Sequence, residues 1–191
     1  MRGVAAGFSF AAVVLSPCAA GAFEHQHELG IDGGVAFISI DQKPTLSVGG
    51  GGGIHYSYGL TDAFNLMIEG AFCPVALQEL PGPGILDNRP TMIENVGAGI
   101  GYTLDVVRWV PYVGVLASAF ALHGGTIDGV RFAGGPTLAV GFDYQLTRGP
   151  KHFAVGIASR LHFPLTDWTS GTVTYPVYVQ IFLRAEYVWG F

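Results

Sequence analysis

Charge is scarce in this chain. Only 12% of its 191 residues are Asp, Glu, Lys or Arg, while 50% are hydrophobic and the mean hydropathy is +0.43. No block of like charge marks a disordered tail or a nucleic-acid-binding arm. The formal net charge is −5, and loss of a leader whose only charge is Arg2 makes it −6. That sign excludes nucleic acid as a natural partner. Cysteine is nearly absent: Cys18 falls in the leader, so only Cys73 remains and no intramolecular disulfide can form. A membrane-crossing helix is also missing. After the leader the best apolar stretch is Trp109 to Leu122, shorter than the ~20 residues a span requires. It also contains Pro111 and Gly114. High hydropathy without such a helix leaves a closed sheet, the other structure that pairs every backbone polar group within lipid.

What is plentiful is glycine, with 29 residues, and aromatic residues, at 13%. The first 22 residues read as a secretory signal peptide. Arg2 is its n-region, Val4 to Leu15 its apolar stretch, and Ala20-Gly21-Ala22 its cleavage site. Residues 23–191 then form one domain.

The rest of the chain alternates with the two-residue period of a strand. Predicted strands run over about Glu28–Ile40, Leu46–Leu60, Phe64–Leu77, Thr91–Leu104, Arg108–Leu122, Val130–Leu146, His152–Phe163 and Val173–Phe191. In most of them one face is apolar and the other carries the glycines and polar groups. Strand five is apolar on both faces and its facing stays open. Pro136 in strand six removes a ladder donor and predicts a bulge. Asp41–Pro44, Glu79–Pro90, Gly124–Gly129 and Asp167–Gly171 are predicted connections. Gly49 to Gly53 lacks the Gly-Lys-Ser/Thr ending of a phosphate loop and the spaced glycines of a dinucleotide fingerprint. It reads as strand glycine making room inside a narrow barrel, and no cofactor is expected.

An internal echo fixes the arrangement of ends. Tyr58-Gly-Leu-Thr, Tyr102-Thr-Leu-Asp and Tyr144-Gln-Leu-Thr each end an even-numbered strand at a short turn. Phe64, Trp109 and Phe153 follow soon after. With Trp189 and Phe191 at the C-terminus these residues predict an aromatic girdle at one rim, the mark of a membrane interface.

The leader, the alternating segments, the Tyr-x-Leu turns and the terminal Tyr187-x-Trp189-x-Phe191 together resemble the small outer-membrane β-barrel family of OmpX and the OmpA transmembrane domain. The resemblance covers the whole mature chain. It implies an all-β fold: an eight-stranded antiparallel up-and-down transmembrane barrel with short periplasmic turns, in the bacterial outer membrane. It also implies outer-membrane lipid as the surroundings, a monomer, and a C-terminal strand read by the barrel-assembly machinery.

The inward faces collect Glu28, Asp32, His55, Glu69, Arg131, Asp143, His152, Arg160, His162, Arg184 and Glu186. Ionisable groups inside a membrane-spanning wall are costly unless paired or hydrated. The expectation is therefore an interior polar network built on Glu28, Asp32, Glu69, Arg131, Asp143, Arg160, Arg184 and Glu186. Eight strands leave room inside for side chains and no wide pore. Two other constellations bear on chemistry. His55-x-Ser57 with Glu69 resembles the His-x-Ser plus Glu set of outer-membrane lipid A deacylases, an acyl-transfer arrangement. Glu24, His25, His27 and Glu28 form a polar entry segment whose spacing alone does not make a metal site. The leading reading is a non-enzymatic barrel with a structural role in the envelope. The alternatives are a small channel or hydrophobic-molecule conduit, the deacylase, and a soluble barrel with its faces reversed.

Overall fold

The computed structural model describes residues 23–39, 46–76, 90–104, 106, 108–125, 127–147, 149–165 and 178–190. The leader, the Asp41–Pro44 and Asp167–Gly171 connections, all of the Glu79–Pro90 loop except Pro90, residues 173–177 and Phe191 lie outside them.

Eight strands close into one barrel: β1 (His27–Ser39), β2 (Leu46–Gly59), β3 (Phe64–Val75), β4 (Thr91–Thr103), β5 (Trp109–Gly124), β6 (Ile127–Gln145), β7 (Lys151–His162) and β8 (Tyr178–Trp189). Each strand pairs antiparallel with its sequence neighbour, and β1 closes on β8 with Asp32 opposite Arg184. Closure removes both sheet edges, as a wall in lipid requires.

The alternation sorts as the sequence predicts. Ile31, Phe132 and Leu183 are 66%, 75% and 70% exposed on the outer wall, a surface no water-soluble barrel would offer so continuously. Asp32, His55, Glu69, Asp143, Arg160, Arg184 and Glu186 are all buried in the lumen. The soluble barrel with reversed faces is thereby excluded. Strand β5, apolar on both sides, turns Val110, Tyr112, Leu116, Ser118, Phe120 and Leu122 inward. Trp109, Val113 and Val115 face out.

Two expectations are corrected. Strand β6 starts at Ile127, so most of the predicted Gly124–Gly129 loop is strand. The irregularity in the sheet falls between His123 and Gly124, where Gly124 and Gly125 take positive φ (78° and 61°), and not at Pro136. The reason is where Pro136 points. Its carbonyl accepts from Phe163 N at 2.9 Å. In an antiparallel ladder a residue's N–H and C=O face the same neighbour. The missing donor therefore faces Phe163, one step past the last paired residues Thr137 and His162, and not β5. The β5–β6 ladder keeps its register through Pro136, opposite Ala117, and the bond that is lost falls on the β7 side, where the β6–β7 ladder ends.

The Tyr-x-Leu repeats work alike at three turns. The leucine N–H reaches across each: Leu60 N to Phe64 O (2.8 Å), Leu104 N to Pro111 O (2.9 Å) and Leu146 N to Phe153 O (2.9 Å). In the glycine run, Gly51 lies inside against Cys73, whose Sγ a Cβ at position 51 would strike. Toward the long-loop end the lumen is filled by an apolar cluster that includes Ile38, Val75, Ile93, Phe120, Leu122, Tyr178 and Phe182. A smaller one, Met67, Tyr112, Leu116, Ala139 and Ala158, lies nearer the short turns.

Candidate functional site

Strand alternation delivers one ionisable side chain after another into the same narrow space, and register decides which of them meet. Asp32 on β1 sits among three strands. Its Oδ2 accepts from Arg160 Nη2 at 2.8 Å and from His55 Nδ1 at 3.0 Å, and its Oδ1 lies 3.5 Å from Arg184 Nε. Arg160 also gives Nε to Glu69 Oε2 at 2.5 Å. Arg184 gives Nη2 to Glu186 Oε1 at 2.5 Å and Nη1 to Asp143 Oδ2 at 3.3 Å, and it donates to the Tyr112 hydroxyl. Glu186 Oε1 accepts from His55 Nε2 at 2.8 Å. Both arginines lie over aromatic rings: Arg160 5.3 Å from the Phe182 centroid and Arg184 4.9 Å from Tyr112.

The network is packed and buried. Its carboxylate and guanidinium side chains are at most 10% exposed. Buried ions of this kind are retained only where opposite charge and hydrogen bonds replace hydration. Space is made by glycine at Gly30, directly opposite His55 in the ladder. A Cβ there would meet the His55 imidazole and lie 2.9 Å from Ala185 O.

The sequence-predicted residues divide into groups. Asp32, Glu69, Asp143, Arg160, Arg184 and Glu186 are brought together with His55. Glu28 stands half-buried at the short-turn mouth, lining a cavity with Asp143, Arg184 and Glu186. Arg131 lies on the inward side at the opposite end, across from Leu122. His162 belongs to a separate neutral network: Nδ1 to Thr137 Oγ1 (2.7 Å) and Nε2 to Gln180 Oε1 (3.0 Å). Gln180 in turn donates to Asn95 Oδ1 (3.0 Å) and Tyr178 OH (2.7 Å).

The acyl-transfer set is not assembled. His55 and Glu69 are ladder partners, yet Glu69 pairs with Arg160, and both His55 nitrogens face other carboxylates. Two acceptors on one ring suit an imidazolium, a donor at both nitrogens. Neither nitrogen is left to take a proton from Ser57, so no activated nucleophile results. In the entry segment two imidazoles are each engaged through one nitrogen. His25 Nδ1 and His27 Nδ1 bond to the hydroxyls of Tyr58 (2.9 Å) and Tyr56 (2.8 Å). No group of His, Cys, Asp and Glu among the described residues is arranged to hold a metal ion.

At the rim the aromatic residues meet across strands. Phe64 packs on Tyr102 (centroids 5.3 Å apart), Trp109 on Tyr144 (4.8 Å) and Phe153 on Tyr187 (5.2 Å). His27 stacks on Trp189 (5.4 Å) and lies 4.9 Å from Tyr58. Sequence reasoning missed Tyr112, whose facing on the doubly apolar β5 could not be read. It also missed Phe23, buried at the short-turn mouth where Gly59 N donates to Gln26 O and His25 N to Gly59 O.

Comparison with known proteins gives a concordant result. A family model described as outer membrane protein beta-barrel domain matches residues 8–175. Among solved structures the fold is similar to Ail, the attachment invasion locus protein of Yersinia pestis, with 12% identity, 87% of this chain and 99% of Ail covered, and a TM-score of 0.55. It is similar to Neisserial surface protein A at 15% identity, covering 86% and 97%, with a TM-score of 0.57. It is also similar to outer membrane protein OprG from Pseudomonas aeruginosa at 13% identity, covering 90% and 100%, with a TM-score of 0.54. At such identities the likeness is one of fold. No curated protein matches the sequence.

Proposed function

We propose that this chain, which belongs to the outer membrane protein β-barrel family, acts as a closed, non-enzymatic structural element of the envelope. It is an integral protein of the bacterial outer membrane. One observation carries the structural reading. The lumen is blocked twice, by the ion network around Asp32 and Arg184 and by the apolar cluster around Phe120 and Phe182. A path for solute would have to break both. The absence of a proton acceptor for Ser57 supports the non-enzymatic part.

In this reading residues 1–22 direct export and are removed after Ala22. The C-terminal strand is presented to the assembly machinery, and the barrel works as a monomer in outer-membrane lipid. The test joins two measurements on the refolded protein. Unboiled protein should migrate differently from boiled protein on a detergent gel, and the folded form should be electrically silent in a planar bilayer. Steady conductance steps that change with Arg160→Gln would overturn the closed-lumen reading in favour of a small channel.

A further inference from the structure

The outer wall is almost without charge over four neighbouring strands. Among the described residues of β7, β8, β1 and β2, the outward positions are apolar, aromatic, glycine or serine, apart from Lys151 and His27. Both stand in one ladder row at the short-turn rim, where Lys151 lies opposite Trp189 and Trp189 opposite His27. The Trp189 ring is stacked on His27 (5.4 Å, 11°) and on Tyr187 (5.6 Å, 21°). No carboxylate shares that face, so the exposed Lys151 ammonium and the indole N–H offer donors to an anion at the membrane interface.

Directly below this row the wall is hollow. Ala185 lies in the ladder between Val155 and Ile31, both bulkier. It is the floor of an open apolar groove of about 620 Å³, walled by Leu29, Ile31, Phe153, Val155 and Tyr187. That volume falls within the ~300–1,000 Å³ of pockets that take small ligands. From Lys151 the outward series on β7 continues through Phe153 to Val155, about 13 Å along the strand at ~3.3 Å per residue. One row further, Gly33 pairs with Gly52, and a Cβ at Gly33 would meet nothing within 4 Å, so the hollow runs on toward the middle of the wall.

A cation and an aromatic N–H at the interface, with an apolar trough beneath them, follow the order of groups in a glycerophospholipid. Its phosphate sits at the interface and its acyl chains lie below. Lysine can lay its stem on apolar surface and keep its ammonium among headgroups, where one such charge near anionic lipid is worth about 1 kcal/mol. Short turns mark the periplasmic end of an outer-membrane barrel. The leaflet that reaches this groove is therefore the periplasmic one.

We propose that the seam of β7, β8, β1 and β2 holds one glycerophospholipid of the periplasmic leaflet, its phosphate at Lys151 and Trp189 and one acyl chain in the groove over Ala185. The proposal rests on the barrel's standing in outer-membrane lipid and assigns one lipid a fixed place there. The test is native mass spectrometry of the whole barrel, refolded in detergent, with palmitoyl-oleoyl phosphatidylglycerol added. The unaltered protein should keep one lipid at collision energies that strip all others. Lys151→Gln should weaken that binding about fivefold. Ala185→Leu, which fills the groove, should weaken it by a similar factor. Ala98→Leu, at an outward alanine of β4 on the far side of the barrel, should leave it unchanged. Palmitoyl-oleoyl glycerol, which lacks the phosphate, should be held no better by the unaltered protein than by Lys151→Gln. Heat-modifiable gel mobility reports the fold of each variant, which separates loss of the lipid from failure of the membrane reading. Equal retention by the unaltered protein, Lys151→Gln and Ala185→Leu overturns the proposal, because the lipid would then be ordinary surrounding solvent. Preferential retention of lipid A over phosphatidylglycerol overturns it too, since the occupant would belong to the other leaflet.

Discussion

Arg184→Met should be among the most damaging single changes in the barrel. Arg184 is 5% exposed and faces three carboxylates, Glu186 at 2.5 Å, Asp143 at 3.3 Å and Asp32 at 3.5 Å, besides the Tyr112 hydroxyl and ring. Methionine matches much of its aliphatic volume and supplies no charge. The change therefore leaves buried carboxylates without their main counter-ion, a loss of about 3–5 kcal/mol for a broken buried pair. Against a total stability on the order of 5–15 kcal/mol this is a large fraction. The assay is urea titration of protein refolded into phospholipid vesicles, read by tryptophan fluorescence and by the fraction keeping folded gel mobility. Leu183→Ile, on the neighbouring outward position and 70% exposed, is the control, expected to change stability by no more than about 0.5 kcal/mol. Adding Glu186→Gln to Arg184→Met removes one stranded charge. The double variant should therefore be more stable than the sum of the single losses by about 1–3 kcal/mol. A loss below about 1 kcal/mol for Arg184→Met would refute the reasoning, because it would mean that water screens the network as it screens a surface pair.

Two further predictions test facing and close packing by the same titration. Val115→Arg should cost about 2–4 kcal/mol if this 60% exposed side chain of β5 meets the bilayer interior; a negligible cost would place that face in the lumen. Gly30→Ala drives a Cβ into the His55 ring and should cost about 1–3 kcal/mol. Gly33→Ala, where a Cβ meets nothing within 4 Å, should be close to neutral, and equal effects at the two positions would remove the steric explanation.

Much of the fold is legible residue by residue because a strand's side chains alternate with a strict period of two. In β8 the series Gln180, Phe182, Arg184, Glu186 and Val188 falls on one face, and that face lies inside. The same rule fails on β5, where Val110 and Val115 are chemically alike and only closure tells them apart. It also fails at Pro136, whose cost depends on whether a neighbouring strand stands opposite its missing donor. The ion network was legible as a list of members and not as pairs. His55 and Glu69 are ladder neighbours that turn to other partners, and Asp32 meets Arg184 across 152 positions of sequence through the β1–β8 seam.

The sequence by itself determined the class of structure: eight alternating segments, short Tyr-x-Leu turns, an aromatic rim, and too little charge for a watery surface. Local periodicity and composition suffice for that, since each strand carries its own two faces. Which face is inside and which charges pair were decided only by the closed barrel. Those properties belong to the space enclosed between strands. Its contents depend on tilt, register and closure, which bring distant residues within a few ångströms and which no single segment encodes.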